Sequence, residues 1–166
     1  MSDVSYVVRR ANQDDWVSLR SIRLEALGDK PDAFGSTYED SLAFSDDRWR
    51  TMAAQRCYFL SERDGEVMGM ISGGLNDQHP GTHWMYGMYV TPSARGSGVA
   101  MQLVDAVFEW ARSEGATELY LHVTSTISRA RAFYEKLGFE FTGKHFTMTR
   151  DPRLELLTMR RSLVES

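Results

Sequence analysis

Apolar positions along this chain switch repeatedly between a spacing of two and a spacing of three to four, the pattern of strands alternating with helices. Ser5 to Arg9 alternates weakly and predicts a short first strand. Asn12 then offers a side-chain N-cap, with Asp14 and Asp15 in the first turn. Trp16, Leu19, Ile22, Arg23, Ala26 and Leu27 recur at helical spacing, and Gly28 is placed to end that helix. A loop from Asp29 to Ser36 follows, holding Pro31 and Gly35. Ser45 or Asp46 caps a second short helix that carries Trp49, Met52 and Ala53 on one side.

The middle of the chain reads as strands. Tyr58 to Arg63, Asp64-Gly65, and Val67 to Ser72 predict a hairpin, because Asp-Gly suits a tight two-residue turn. Gly73-Gly74 and the polar stretch Asn76 to Thr82 lead into a further apolar run, Trp84 to Val90. Gly87 interrupts that run, where a glycine marks a bulge or a close backbone approach. Helical spacing returns from Gly98 to Ser113, with Val99, Leu103, Ala106, Val107 and Trp110 as the buried stripe. Glu118 to Val123 is a strand with Leu119, Leu121 and Val123 on one face. Ser128 to Leu137 is a shorter helix stopped by Gly138, Phe139 to Phe141 begins a strand, and Leu154 to Leu163 forms the last one. There is no repeat and no linker. Residues 1–166 predict a single α/β domain with a mixed sheet.

Composition narrows the function classes. With 166 residues, 42% of them hydrophobic, the chain has the size of one ordinary domain. A net charge of -4 argues against a general nucleic-acid binder. The single cysteine, Cys57, sits in an apolar run and reads as a core residue; its isolation suits a reducing cytoplasm. The opening Met-Ser-Asp-Val lacks the basic segment and apolar core of a secretory leader. No apolar run approaches the roughly 18 residues of a membrane span. The four histidines lack the spacing of a zinc site, so no metal is expected.

Candidate chemistry concentrates between Met88 and Ala100. An apolar strand ends at Val90, Pro92 cannot continue its ladder, and Gly96 and Gly98 open a helix. A strand, a glycine turn and a helix N-terminus together make an anion site, since first-turn N–H groups lack intrahelical partners. A P-loop would need a Lys that is absent here, and a dinucleotide fingerprint would need Gly where Met101 stands. A helix that simply opens with glycines would read the same way locally.

The run Arg95-Gly96-Ser97-Gly98-Val99-Ala100 resembles the Gln/Arg-x-x-Gly-x-Gly/Ala signature of the GNAT superfamily of N-acetyltransferases. One helix and one strand later, Ala130 to Phe139 resembles the family's Ala-x-x-Leu/Phe-Tyr-Glu-Lys-Leu-Gly-Phe block. The resemblance spans essentially the whole chain and is strongest from Trp84 to Gly143. It implies a single three-layer domain whose mixed sheet splays between strand four and strand five. The pantetheine arm of acetyl-coenzyme A would lie in that gap, on the backbone of Met88 and Val90, with its pyrophosphate on the amides of Arg95, Gly96, Ser97, Gly98, Val99 and Ala100. Tyr134 would give a proton to the departing thiolate.

Two departures matter. Many members carry Asn seven residues before the tyrosine, where Ile127 stands here, so that contact is lost or moved to Ser125 or Ser128. Many also carry a Glu early in strand four as general base, and Trp84 occupies about that place. His83, Glu25, Glu39 and an ordered water stay open as bases, His83 otherwise being an exposed strand-entry residue. The segment from Phe34 to Asp47, with Tyr38, Glu39, Asp40 and Asp46, is the expected acceptor wall, its carboxylates drawing a cationic amine. The same carboxylates read equally well as solvated groups, with Asp46 as a helix cap. The resemblance therefore implies a cytoplasmic acetyltransferase acting on a small-molecule primary amine. A protein or peptide acceptor, a non-catalytic acyl-coenzyme A sensor and a homodimer stay open.

Overall fold

Asp64 and Gly65 have φ of 52° and 79°, the left-handed pair that lets a two-residue turn follow the strand twist. Around this turn the computed structural model, which describes residues 5–164, builds a seven-stranded sheet. The Met1–Val4 opening and the end of the polar tail lie outside the described residues. The strands are β1 (Val7–Arg10), β2 (Cys57–Arg63), β3 (Glu66–Asn76), β4 (His79–Val90), β5 (Glu118–Thr124), β6 (Glu140–Met148) and β7 (Asp151–Ser162). Their spatial order is β1-β2-β3-β4-β5-β7-β6, and every neighbouring pair is antiparallel except β4 with β5.

Helices cover both faces. On one side α1 (Trp16–Asp29) and α3 (Asp46–Gln55) place Leu19, Ile22 and Trp49 against Tyr58, Leu60, Met70 and Tyr89. On the other, α4 (Val99–Ser113) sets Leu103, Val104 and Val107 against Ile71, Met85 and Leu119, beside α5 (Ser128–Lys136). Met70 and Ile71 are neighbours that serve opposite cores, as a strand's alternation requires. The mixed-sheet α/β reading and the three layers hold.

Several boundaries differ, each for a local reason. Gly28 lies inside α1, which runs one residue further to Asp29; Lys30 then leaves the helical region because Pro31 follows it. A five-residue helix, α2 (Tyr38–Leu42), stands between the expected loop and the second expected helix, where no element is predicted; Thr37 caps it, and it is too short to show a period. Gly73 and Gly74 do not leave the strand but continue β3 to Asn76, and β4 starts at His79 rather than Trp84. Packing explains the pair. A Cβ on Gly73 would lie 2.5 Å from the Trp110 ring of α4, so the strand needs a glycine for the helix to seat.

The glycine inside β4 is a bulge. Met70 pairs with Tyr89 but Ser72 pairs with Tyr86, so β4 spends one extra residue there, with Gly87 at φ 60°. The slip inverts the strand's facing. His83 and Met85 face α4 before it, and Met88 and Val90 face α4 after it, which turns Trp84 and Tyr89 toward the α1 side.

Gly73→Ala tests the seat of α4. The added methyl meets a rigid ring, so stability should fall by about 1–3 kcal/mol. Thermal melting should show the loss, and Trp110→Leu in the same chain should recover part of it. An unshifted melting temperature in Gly73→Ala would mean that the ring yields without cost.

Candidate active site

β4 and β5 pair only at His83 with Leu119 and at Trp84 with Tyr120; beyond that they part. Past the last pair, the C-terminal half of β4 keeps its β3 ladder and loses its β5 neighbour. Thr91 N–H donates to Met68 O at 2.9 Å on the β3 side. By strand alternation the amides of Val90 and Met88 therefore point the other way, into the gap.

The gap leads to the glycine turn. A short 3₁₀ turn, Pro92–Ala94, ends β4, and the Ser97 hydroxyl closes it on Ala94 O. Gly96 and Gly98 have φ of 79° and 90°, which a side chain would strain. No protein atom lies within 4 Å of a Cβ built on either. Their lack of side chains thus serves backbone shape and open space, not packing. Arg95 N–H turns back to Pro92 O at 3.4 Å, whereas the N–H groups of Gly96, Ser97, Gly98, Val99 and Ala100 have no protein acceptor among the described residues. These donors lead into the 15-residue α4, and Gly96, Gly98 and Ala100 line a cleft of about 340 Å³ with Val90 and Phe133. A pyrophosphate fits this donor set and this dipole.

The Arg95 side chain is committed elsewhere. Its Nη2 meets Asp29 at 2.7 Å, and its Nε donates to Val90 O at 3.0 Å. The Tyr89 hydroxyl lies 2.8 Å from Glu25 and 3.0 Å from Asp29. Arg95, and then Tyr89, hold the Asp29 carboxyl below the usual range; burial, and then the two carboxylates, push the Tyr89 phenol up. The side chain of Arg95 therefore anchors the turn to α1, and Glu25 is occupied by Tyr89.

Tyr134 sits on α5, packed edge-on to Phe139 and tilted against Phe133. Its hydroxyl has no hydrogen-bond partner among the described residues, and burial raises its pKa, so the phenol stays protonated. Ile127 occupies the N-cap of α5 and gives no side-chain cap; Ser128 is the first residue of the helix, and Ser125 N–H donates to Glu155 O at 2.8 Å.

The expected acceptor wall divides between a buried and several exposed positions. Phe34 is buried against the α1 core, with Cε1 3.9 Å from a Cβ built on Gly87. Tyr38 and Glu39 are exposed on α2, Asp40 and Asp46 are exposed in the first turns of α2 and α3, and Asp47 pairs with Arg50 at 2.9 Å. Ser45, not Asp46, supplies the cap of α3. His83 is not exposed: it is half-buried, edge-on to Trp110 on the α4 side.

An aromatic cluster was not legible as a site. Trp84 is 2% exposed, yet it belongs to neither core; His79, Tyr86, Tyr120 and His122 surround it, with centroids 4.6–6.3 Å away. His122 is also edge-on to Phe146 at 4.9 Å. Burial, and then the neighbouring His79, lower its pKa from 6.5 to about 4. The cluster walls an open cleft of about 950 Å³ on the face away from α4, with Thr158 and Arg160 in its lining. Scattered single aromatics on three strands carry no linear signal; only the sheet register gathers them.

Residues 16–139 match the acetyltransferase (GNAT) family. The chain is 37% identical over 86 residues to an uncharacterized N-acetyltransferase, YjgM, of Escherichia coli K12, covering 50% of this chain and 50% of that protein. It is 27% identical over 146 residues to mycothiol acetyltransferase of Acidothermus cellulolyticus, covering 80% of this chain and 43% of that one. The chain thus spans half or less of the length of these curated relatives. Among solved structures, yncA of Salmonella typhimurium with its cofactor acetyl-CoA superposes with a TM-score of 0.77 at 22% identity, over 98% of this chain and 96% of that one. An N-acetyltransferase from Staphylococcus aureus Mu50 gives 0.74 at 22%, over 96% and 99%. At these identities the structural likeness is one of fold.

The depressed His122 makes stability depend on acid. Between pH of about 6.5 and about 4 the unfolded chain binds a proton at this residue that the folded chain does not, so stability falls as pH falls through that window. Melting temperatures recorded across it should drop less steeply for His122→Gln than for the unaltered chain. Parallel slopes would mean that the imidazole is already charged in the folded protein.

Proposed function

The chain belongs to the GNAT acetyltransferase family, and from that premise we propose that it transfers the acetyl group of acetyl-coenzyme A to the primary amine of a small molecule. The observation that carries this reading is the run of unpartnered N–H groups from Gly96 to Ala100 beside the unpaired edge of β4. Pyrophosphate would take those amides, and the pantetheine arm would take the backbone of Met88 and Val90 as an added strand does. A cleft of about 950 Å³ on the opposite face suits a small acceptor. No helix of the described residues is long and apolar enough to cross a membrane, and a lone buried cysteine suits a reducing compartment.

In the reaction the amine lone pair attacks the thioester carbonyl, the C–N bond forms, and the carbonyl π pair moves to oxygen. Collapse restores the carbonyl, breaks the C–S bond and releases the thiolate, which ends protonated, while the amine gives up one proton. Tyr134 is the donor for the thiolate. Burial makes its phenol a weaker acid than usual, so it first stabilises the departing sulfur as a hydrogen-bond donor. The half-buried, unpartnered phenol favours this enzymatic reading over that of an acyl-coenzyme A sensor, which would need no such group. Calorimetry with acetyl-coenzyme A and release of free thiol in the presence of amines test the reading together. A chain that binds no coenzyme overturns it.

Two variants separate binding from chemistry. Gly98→Ala strains a backbone at φ 90° and fills the open space above the amides. Coenzyme affinity should fall at least about tenfold, equivalent to roughly 1.4 kcal/mol, in a folded protein. Unchanged affinity would place the anion elsewhere. Tyr134→Phe keeps the ring and deletes only the hydroxyl. Turnover should fall about 10²-fold while coenzyme affinity holds. Near-normal turnover with chemistry limiting would remove the phenol from the reaction.

A further inference from the structure

Arg23 stands at the bulge of β4 without the partner its charge requires. It is half-buried on α1, and its Nη1 lies 3.7 Å from a Cβ built on Gly87, so the guanidinium rests over the strand where β4 has left β5. Its Nε is shut off from solvent and has no hydrogen-bond partner, and its Nη2 reaches only the Ser36 hydroxyl at 3.4 Å. None of the ion pairs among the described residues includes it. The acidic residues that follow it on α1, Glu25 and Asp29, are turned to Tyr89 and Arg95. Arg150, on the far side of Phe34, spends its donors on the carbonyls of Pro31 and Phe34. The turn that carries Phe34 is thus framed by two guanidinium groups that the protein leaves without a carboxylate.

A guanidinium donor shut off from water without a partner is costly, and a ligand that pairs the group recovers that cost on binding. A guanidinium fork matches the two oxygens of a carboxylate in one plane. Resting on the α1 face of β4, it lies across the sheet from the amides that open α4. A coenzyme pyrophosphate on those amides leaves Arg23 to the acceptor. We propose that Arg23 recognises a carboxylate on the acceptor, so that the amine acetylated is that of an amino acid or a related amino-carboxylate. This rests on the transferase reading above and reverses the electrostatic expectation from sequence: the acceptor is drawn by an unpaired cation beside Phe34, not by Glu39, Asp40, Asp46 and Asp47.

The test uses the intact chain with acetyl-coenzyme A and matched acceptor pairs, phenylalanine with phenethylamine and methionine with its decarboxylated amine. The carboxylate member of at least one pair should be preferred at least about tenfold in kcat/KM, as a site built to bond a polar group rejects the analogue lacking it. Arg23→Gln should collapse that ratio toward one through KM, and Arg23→Lys should restore part of it. Equal use of both members by the unaltered chain, or an equal loss on both in Arg23→Gln, overturns the proposal; the second result would assign Arg23 to the transition state or the fold. A readout apart from turnover is binding of 3-phenylpropanoate in the presence of coenzyme A, followed by calorimetry and abolished in Arg23→Gln. Absence of both that binding and a carboxylate preference also overturns it. Coenzyme affinity, measured in parallel, should be the same in all three proteins. If the unaltered chain binds no coenzyme, the transferase reading itself fails and this proposal with it.

Discussion

Two neighbouring strands that stop pairing leave backbone donors and acceptors with nothing to bond, and a fold tolerates that only where water or a ligand can take them. The parallel pair of β4 and β5 lasts two residues, His83 and Trp84 against Leu119 and Tyr120. From there the geometry of the site follows. The unpaired edge of β4 leads through the short Pro92–Ala94 turn to Gly96 and Gly98, and α4 begins where the glycine turn ends. Opening the sheet and opening the helix thus present two sets of donors along the gap, one on β4 and one at the start of α4. The α4 core holds these donors rigid from behind, through Val99, Leu103 and Val107.

The turn is braced from the other face as well. Arg95 reaches back to Asp29 near the end of α1, and Tyr89 shares the same carboxylate. An arginine next to a phosphate-binding turn would ordinarily be assigned to the anion. Here it holds the turn to a helix of the opposite layer, so the side chain braces the turn and leaves the proposed anion contacts to the amides. Coupling between α1 and the turn therefore passes through an ion pair that is partly exposed, which salt should weaken.

Much of this was legible in the linear chain, because local chemistry decided it. The Asp64-Gly65 hairpin, a cap at Ser45 or Asp46, and the placement of Val99, Leu103 and Val107 on the buried side of α4 depend on residues close in sequence, although Ala106 and Trp110 of the expected stripe are only half-buried. Gly73 reads differently. In isolation a Gly-Gly pair looks like an exit from a strand, and only Trp110, 37 positions later, shows that it is a seat for a helix. Arg23 fits a helix-period position in the sequence, and its lack of a partner follows from Glu25 and Asp29 being turned to Tyr89 and Arg95. The aromatic surround of Trp84 is likewise a product of register. Long-range neighbours, not propensities, made these features.

The extra residue at Gly87 has a consequence for how such a strand can be inherited. Upstream of it, the side chains on the α1 face include Trp84 and Tyr86, beside the open cleft; downstream, Met88 and Val90 aim their amides at the gap. Because the bulge resets which face each residue meets, the two halves of one strand are no longer bound to a common alternation. Changes that retune the cleft can accumulate on one side without rotating the row of amides on the other. A single strand thereby offers two independently variable surfaces, and the glycine is the joint between them.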